Sequence, residues 1–185
     1  QNLINITDTL VVFFFLTSSF YNLLMTLFVL TLMFFTYSST VTADVIGKPR
    51  VIDGDTIEIA GDRIRLKGID TPEAKQTCLD KTRKRWRCGE EATFALLDLV
   101  GSHWITCKGE KRDRYGRLIA VCFAGPFDIN AKMVRQGWAL AYRKYSNAYV
   151  AEEAEAKSKR RGLWRGRFVS PWDWRRGERL SLDKS

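Results

Sequence analysis

Residues 56–66 constrain the fold of this chain more than any other stretch. Ile57 and Ile59 alternate with Thr56 and Glu58, and Ile64 and Leu66 alternate with Arg63, Arg65 and Lys67. A period of two puts the apolar side chains on one face of a strand and the polar ones on the other. Gly61-Asp62 between the two runs reads as a two-residue hairpin turn. Counting outward from it predicts Ile59 opposite Ile64, Glu58 opposite Arg65, Ile57 opposite Leu66 and Asp55 opposite Gly68. The apolar pairs then share one face, as a half-buried sheet requires.

A second hairpin is predicted over residues 103–123, with its turn at 112–116, which sets Cys107 opposite Cys122. Opposed residues of antiparallel strands lie within disulfide reach. The four cysteines, at 78, 88, 107 and 122, do not have the paired C-x-x-C spacing of a zinc site. Of three possible pairings, the local ones are expected: Cys78–Cys88 and Cys107–Cys122. Two disulfides suit an oxidising compartment.

Helices are expected between and after the strands. The first covers 89–100, with Glu90 and Glu91 in its first turn, an apolar stripe at Phe94, Leu97 and Val100, and Gly101 as its stop. Asp128 is expected to cap a second, carrying Ile129, Met133 and Val134 and ended by Gly137. Asn147 is expected to cap a third over 148–161, with Glu153–Lys157 and Glu155–Lys159 at i,i+4 and Gly162 as its stop. The order implies an α+β domain: a closed five-stranded barrel with about three helices packed on it.

The chain of 185 residues carries 30 Lys+Arg against 21 Asp+Glu. The first basic residue is Lys48, so from Asp44 onward 30 basic residues face 20 acidic ones, a surplus of ten. A field of that sign attracts polyanions or an anionic membrane. Residues 1–43 read as a hydrophobic signal peptide or anchor. The run 23–35 ("LLMTLFVLTLMFF") is followed by small residues at Val41 and Ala43, the layout of a secretory segment cleaved after Ala43, with translation starting at Met25. The alternative is an uncleaved anchor over 10–35. The expected division is 1–43, a domain at 44–166 and a Trp/Arg-rich tail at 167–185, the protein being exported or anchored outside the cytoplasm.

The first hairpin collects Asp55, Asp70 and Glu73 around Arg65. Two carboxylates converging on one point repel unless a cation lies between them, and a hard divalent ion with oxygen ligands serves. Glu73, past Pro72, is placed to orient or deprotonate a water. Arg65 is planar and suited to bidentate phosphate contact. Strict alternation sets Arg65 and Asp70 on opposite faces, so the strand has to bend, and Gly68 is the expected place. Each feature also has a plain structural reading: Asp53-Gly54-Asp55 as a turn, Thr71-Pro72-Glu73 as a turn start, Glu58–Arg65 as a cross-strand pair. Their collection in one hairpin argues for a site. His103 is the only histidine, which excludes acid–base chemistry built on two histidines, and no G-x-S-x-G elbow is present.

The motifs "IDGDT" at 52–56, "RLKGIDTPE" at 65–73, "DRYGR" at 113–117, "MVRQGWALAY" at 133–142 and "GLW" at 162–164 resemble those of the staphylococcal-nuclease family, over roughly residues 46–166. The resemblance implies an OB-fold barrel and a Ca²⁺-dependent phosphodiesterase acting on DNA and RNA, single strands and duplexes, as a monomer that cuts the P–O5′ bond and leaves 3′-phosphate ends. It implies that Asp55, Asp70 and the carbonyl of Thr71 hold calcium. Glu73 would act on water, Arg65 and Arg117 would grip the phosphate, and Asp113, Arg114, Tyr115 and Tyr142 would line the substrate. A non-catalytic OB-type nucleic-acid-binding module is the alternative. The basic loop 76–88 has two readings, a track for a nucleic-acid backbone or a solvated, stapled loop. Trp172 and Trp174 in the tail either stack bases or pack the tail onto the domain.

Overall fold

The computed structural model describes residues 25–28 and 44–181. Residues 25–28, one helical turn, belong to an N-terminal unit ending at Val41; a second unit starts at Thr42. Apart from that turn, the signal or anchor segment and the cleavage after Ala43 lie outside the described residues. No helix among the described residues is long and apolar enough to cross a membrane.

The second unit is α+β. Strands β1 (Val45–Gly47), β2 (Arg50–Asp53), β3 (Thr56–Ile59) and β4 (Asp62–Leu66) come first, and a short β5 (Ile69–Asp70) follows. β6 (Cys78–Leu79) and β7 (Arg85–Trp86) form a small ribbon before helix α1 (Cys88–Val100). The long hairpin β8 (Ile105–Arg112) and β9 (Leu118–Ala124) is followed by β10 (Phe127–Asp128), α2 (Ile129–Arg135), β11 (Leu140–Ala141), α3 (Val150–Ser158), a 3₁₀ turn (Gly162–Arg165) and α4 (Pro171–Arg175). Among the described residues the main sheet has seven strands rather than the expected five, in the order β1-β8-β9-β4-β3-β2 with β10 on β9. β4 and β9 run parallel, and the other pairs are antiparallel. Its apolar face packs with Leu96 and Val100 of α1 and Met133 and Val134 of α2 in one core.

The first hairpin forms with its apolar face as expected, but its turn lies one residue earlier. Ala60 and Gly61 are the loop, with φ of 51° and 87°, and Ile59 pairs with Asp62, Ile57 with Ile64, Glu58 with Arg63 and Thr56 with Arg65. Two positive φ values are what a type I′ loop needs, since its twist matches the flanking strands. Asp62 stays in the strand and accepts from Arg112 at 2.7 Å. The shift is by two residues, so every side chain keeps its face. Glu58 is therefore not opposite Arg65; it pairs with Arg50 at 2.8 Å.

In the second hairpin Cys107 does face Cys122, and both expected disulfides, Cys78–Cys88 and Cys107–Cys122, are formed. Helix α1 turns a different face inward from the expected one: Ala92, Leu96 and Val100 are buried, and Phe94 and Leu97 are exposed. Cys88, tied to Cys78, and Gly89, packed on Glu73, set the inward face at the helix start, and the 3.6-residue period carries it on. α2 is capped by Asp128, which accepts from the Ala131 N–H. α3 starts at Val150, after Tyr149 rather than Asn147: the Asn147 carbonyl accepts from the Val150 N–H in a separate turn, and the first helical bond runs from the Glu153 N–H to the Tyr149 carbonyl. The Tyr149 hydroxyl donates to Asp128 at 3.2 Å. Burial and that carboxylate push the Tyr149 pKa up. Lys159 pairs with Glu155 as expected, but Glu153 turns inward and accepts from the Ala141 N–H and from Arg143. It thereby holds β11, which pairs with β5, the strand that carries Asp70.

Candidate active site

The site forms where the chain leaves the main sheet. β4 ends at Leu66, Gly68 adopts φ of 77°, and β5 pairs with β11 instead of continuing along β9. That change of sheet is the bend the alternation required, and a left-handed φ explains glycine at 68. It brings Arg65 and Asp70 to one side. Arg65 donates to Asp70 at 2.7 Å and is paired with Asp55.

Both acids are buried, Asp55 to 2 % and Asp70 to 0 % exposure. Asp55 lies in the tight turn between β2 and β3, where its N–H donates to Asp53. Its carboxylate accepts from the Thr71 N–H at 3.0 Å and from the Thr56 hydroxyl. Buried carboxylates are costly unless paired, and here the pairing comes mainly from arginine. Burial pulls the Arg65 pKa down and Asp70 opposes it; a guanidinium still keeps its charge.

Arg117 joins from the other hairpin. Arg65 of β4 lies in register with Ile119 of the parallel β9, so Arg117, just before β9, falls level with Arg63, two residues back from Arg65 along the strand. The like charge of Arg117 is one cause lowering Arg65. Arg117 is held by Asp113 at 2.8 Å through both Nε and Nη2. Asp113 also accepts from the Tyr115 and Arg117 N–H groups, closing the turn. Partial burial would raise its pKa, but these hydrogen bonds outweigh that and hold it below the usual carboxylate range. Arg114 and Arg117 both lie over the exposed ring of Tyr115.

Glu73 follows Pro72 in the turn after β5. Its N–H donates to the Gln76 side chain at 3.1 Å, and its carbonyl accepts from the Gln76 N–H. Gly89 of α1 lies directly against it: a Cβ added there would stand 1.8 Å from the Glu73 carbonyl oxygen. Only glycine lets the helix start come so close.

One residue of this site, Arg175, was not legible in the sequence; for Trp172 the sequence offered tail packing as one of two readings, without its partner. Arg175, at the end of α4, donates to Asp70 at 2.6 Å and to Glu73 at 2.6 Å. Partial burial opposes its charge, but hydrogen bonds to both carboxylates push its pKa further up. Trp172 stacks on Tyr142, rings 5.4 Å apart and 4° from parallel. The tail therefore packs onto the domain and covers one face of a tyrosine expected to line the substrate. No sequence pattern tells where a terminal Trp/Arg segment docks.

The donor set suits a hard divalent cation: carboxylate oxygens of Asp55 and Asp70 and the carbonyl of Thr71, all oxygen. Among the described residues no three His, Cys, Asp or Glu side chains gather as a metal group; this set needs two side chains and a carbonyl. Away from this site, Lys81, Arg83, Arg160, Arg165 and Arg167 line a groove of about 570 Å³ with Trp164. Asp80, on its rim, is tied to Thr82 and Lys84.

A family model described as staphylococcal nuclease homologue matches residues 63–166. The succinoglycan biosynthesis protein ExoI of Rhizobium meliloti (strain 1021) is 40% identical over 141 residues, covering 74% of this chain and 73% of the relative. An uncharacterized endonuclease of Escherichia coli O157:H7 is 38% identical over 142 residues, 72% of this chain and 86% of the relative. A micrococcal nuclease of Shigella flexneri is 34% identical over 149 residues, 70% of this chain and 79% of the relative. Arg175 lies beyond the matched stretch of the family model.

Proposed function

We propose, on the premise that this chain belongs to the staphylococcal nuclease family, that it is a Ca²⁺-dependent nuclease with the family's OB barrel, hydrolysing DNA and RNA with little sequence preference. The observation that carries this reading is the pair of buried carboxylates, Asp55 and Asp70, gathered at Arg65, with the Arg117 guanidinium near enough to act on Arg65. Asp55, Asp70 and the Thr71 carbonyl would hold the calcium ion, which when bound neutralises charge on the phosphate and polarises its oxygens. Glu73 takes a proton from the attacking water, or holds that water in line with phosphorus. Water oxygen bonds to phosphorus as the P–O5′ bond breaks, and the departing 5′ oxygen takes a proton from solvent, giving a 5′-hydroxyl and a 3′-phosphate. Arg65 and Arg117 hold the phosphate oxygens bidentately as charge builds on them. Asp113 fixes Arg117 for that task, and Arg114, Tyr115 and Tyr142 line the substrate. The two disulfides support export, and the basic surplus supports a polyanionic substrate.

The test follows plasmid and single-stranded DNA digestion by the oxidised protein in Ca²⁺ and in chelator, with Glu73→Gln beside it and end-group analysis of the products. The expected result is digestion only with Ca²⁺, 3′-phosphate ends, and a loss of about 10²–10⁴-fold in kcat for Glu73→Gln, the usual worth of a positioned acid or base. Tight binding of DNA with no cleavage in any divalent ion would replace this reading with a binding module.

A further inference from the structure

Glu73 stands on a turn outside regular structure, with its side chain 42% exposed. A long carboxylate in that position has several rotamers, yet a residue that acts on water has to present one oxygen in one direction. The structure supplies a restraint from far along the chain. Nη1 of Arg175 donates to Glu73 Oε1 at 2.6 Å and to Asp70 Oδ1 at 3.2 Å, and Nη2 donates to Asp70 Oδ2 at 2.6 Å. One planar group thus spans the two carboxylates and sets both the gap and the angle between them. Only a guanidinium has donors arranged in such a fork.

The guanidinium is itself delivered on a supported frame. Arg167 and Leu79 exchange backbone hydrogen bonds, both at 2.8 Å, which ties the tail to the disulfide-closed ribbon of β6 and β7. The fully buried Gln76 side chain accepts from the Glu73 N–H and donates to the Val169 carbonyl at 2.7 Å, so one amide joins the Glu73 turn to the tail. Trp172 then stacks on Tyr142. These three attachments fix residues 167–172 relative to the site, and α4 carries Arg175 one turn further. The arrangement is what a positioned site requires: side chains locked by a surrounding shell of packing and hydrogen bonds.

We propose that Arg175 is a positioning residue for the hydrolysis: its guanidinium holds Glu73 in register with Asp70, making the C-terminal tail part of the active site. This rests on the nuclease reading above. Its contacts are with the Glu73 and Asp70 carboxylates, and it acts through them.

The experiment uses the full chain, oxidised, as wild type, Arg175→Met, Arg175→Lys, Glu73→Gln and the double variant Arg175→Met/Glu73→Gln. Wild-type cleavage in Ca²⁺ is the test of the nuclease reading alone, and its absence sinks that reading whatever the variants do. Thermal melting shows that each variant is folded. Should Arg175→Met fail that control, Arg175→Lys carries the comparison. With cleavage present, Arg175→Met is expected to lower kcat about 10- to 100-fold, the scale of a misplaced catalytic group, and to leave KM within about twofold. Arg175→Lys is expected to recover only a few-fold, because an ammonium keeps the charge but not the fork. On a Glu73→Gln background the added loss is expected to shrink to less than about threefold, the signature of two coupled residues. Nitrogen-15 NMR of the guanidinium in chelator supplies a readout apart from activity: hindered rotation of Arg175 in the wild type, freed by Glu73→Gln. Unchanged or increased kcat in Arg175→Met would overturn the proposal, the tail then being a cover over the site. So would a rise in KM alone, which marks a phosphate contact, or two losses that simply multiply.

Discussion

Arg65 stands between Asp55 and Asp70, and its neighbours decide what that arrangement can do. The one-residue displacement of the hairpin turn frees Arg65 from Glu58 and sets it opposite Thr56. From there its side chain reaches both buried acids. Gly89 is the less visible requirement. Its hydrogen stands where any larger group would press on the Glu73 carbonyl. An alanine in an open helix position would stabilise by about 1 kcal/mol through helix propensity. Gly89→Ala is expected to do the opposite, costing about 1–3 kcal/mol as an overpacked contact. It should also displace Glu73, lowering kcat by about tenfold or more at a temperature where both proteins are folded. Chemical denaturation and initial rates on the same preparations check both signs. A stabilised Gly89→Ala with wild-type kcat would show that the α1 start does not set Glu73.

At the scale of elements, the ribbon of β6 and β7 works as a bracket between the domain and the tail. Cys78–Cys88 closes it, Leu79 pairs with Arg167, and Cys78, Cys88, Leu140 and Leu163 form a small second core against which Trp172 and Phe168 pack. Cys107–Cys122, by contrast, ties two strands already paired in one sheet. Loops of this length give about 2–3 kcal/mol by the chain-entropy account. Replacing either cysteine pair by serine is expected to cost at least that much in denaturant unfolding. Only the Cys78→Ser/Cys88→Ser protein is expected to lose hydrogen-exchange protection at the Leu79 and Arg167 amides, which local opening of the tail would expose. Equal protection of those amides in both variants would detach the bracket from the disulfide.

The molecule as a whole carries a formal charge of +9, and part of that charge is gathered. Lys81 and Arg83 of the loop between β6 and β7 meet Arg160, Arg165 and Arg167 around one groove, which favours the reading of this loop as a track for a phosphate backbone. Binding of DNA by the Glu73→Gln protein in chelator is expected to weaken steeply with salt, log affinity falling by about 0.9 per phosphate neutralised on a duplex. Lys81→Glu/Arg83→Glu is expected to make that slope shallower by one to two contacts, on the order of one unit each, while melting as the parent does. An unchanged slope would assign the groove to solubility alone.

The sequence by itself determined the strand alternation and its apolar face, the cross-strand disulfide, the α2 cap at Asp128, and the composition of the acid–arginine cluster. All of these depend on residues near one another in the chain or on a register counted from one turn, so short-range geometry suffices. Tertiary structure decided the rest. The turn moved to Ala60-Gly61, because a type I′ loop and the Asp62–Arg112 pair outweigh residue preference. Helix α1 rotated to the face set by Cys88 and Gly89. Glu153 left its helix-surface partner for the Ala141 N–H and Arg143, since a buried backbone donor has to be satisfied. Arg175 stands 102 residues from Glu73 in the chain. Only the packing of the tail against Leu79, Gln76 and Tyr142 brings the two together, because a contact at that separation depends on how distant surfaces pack rather than on any local pattern.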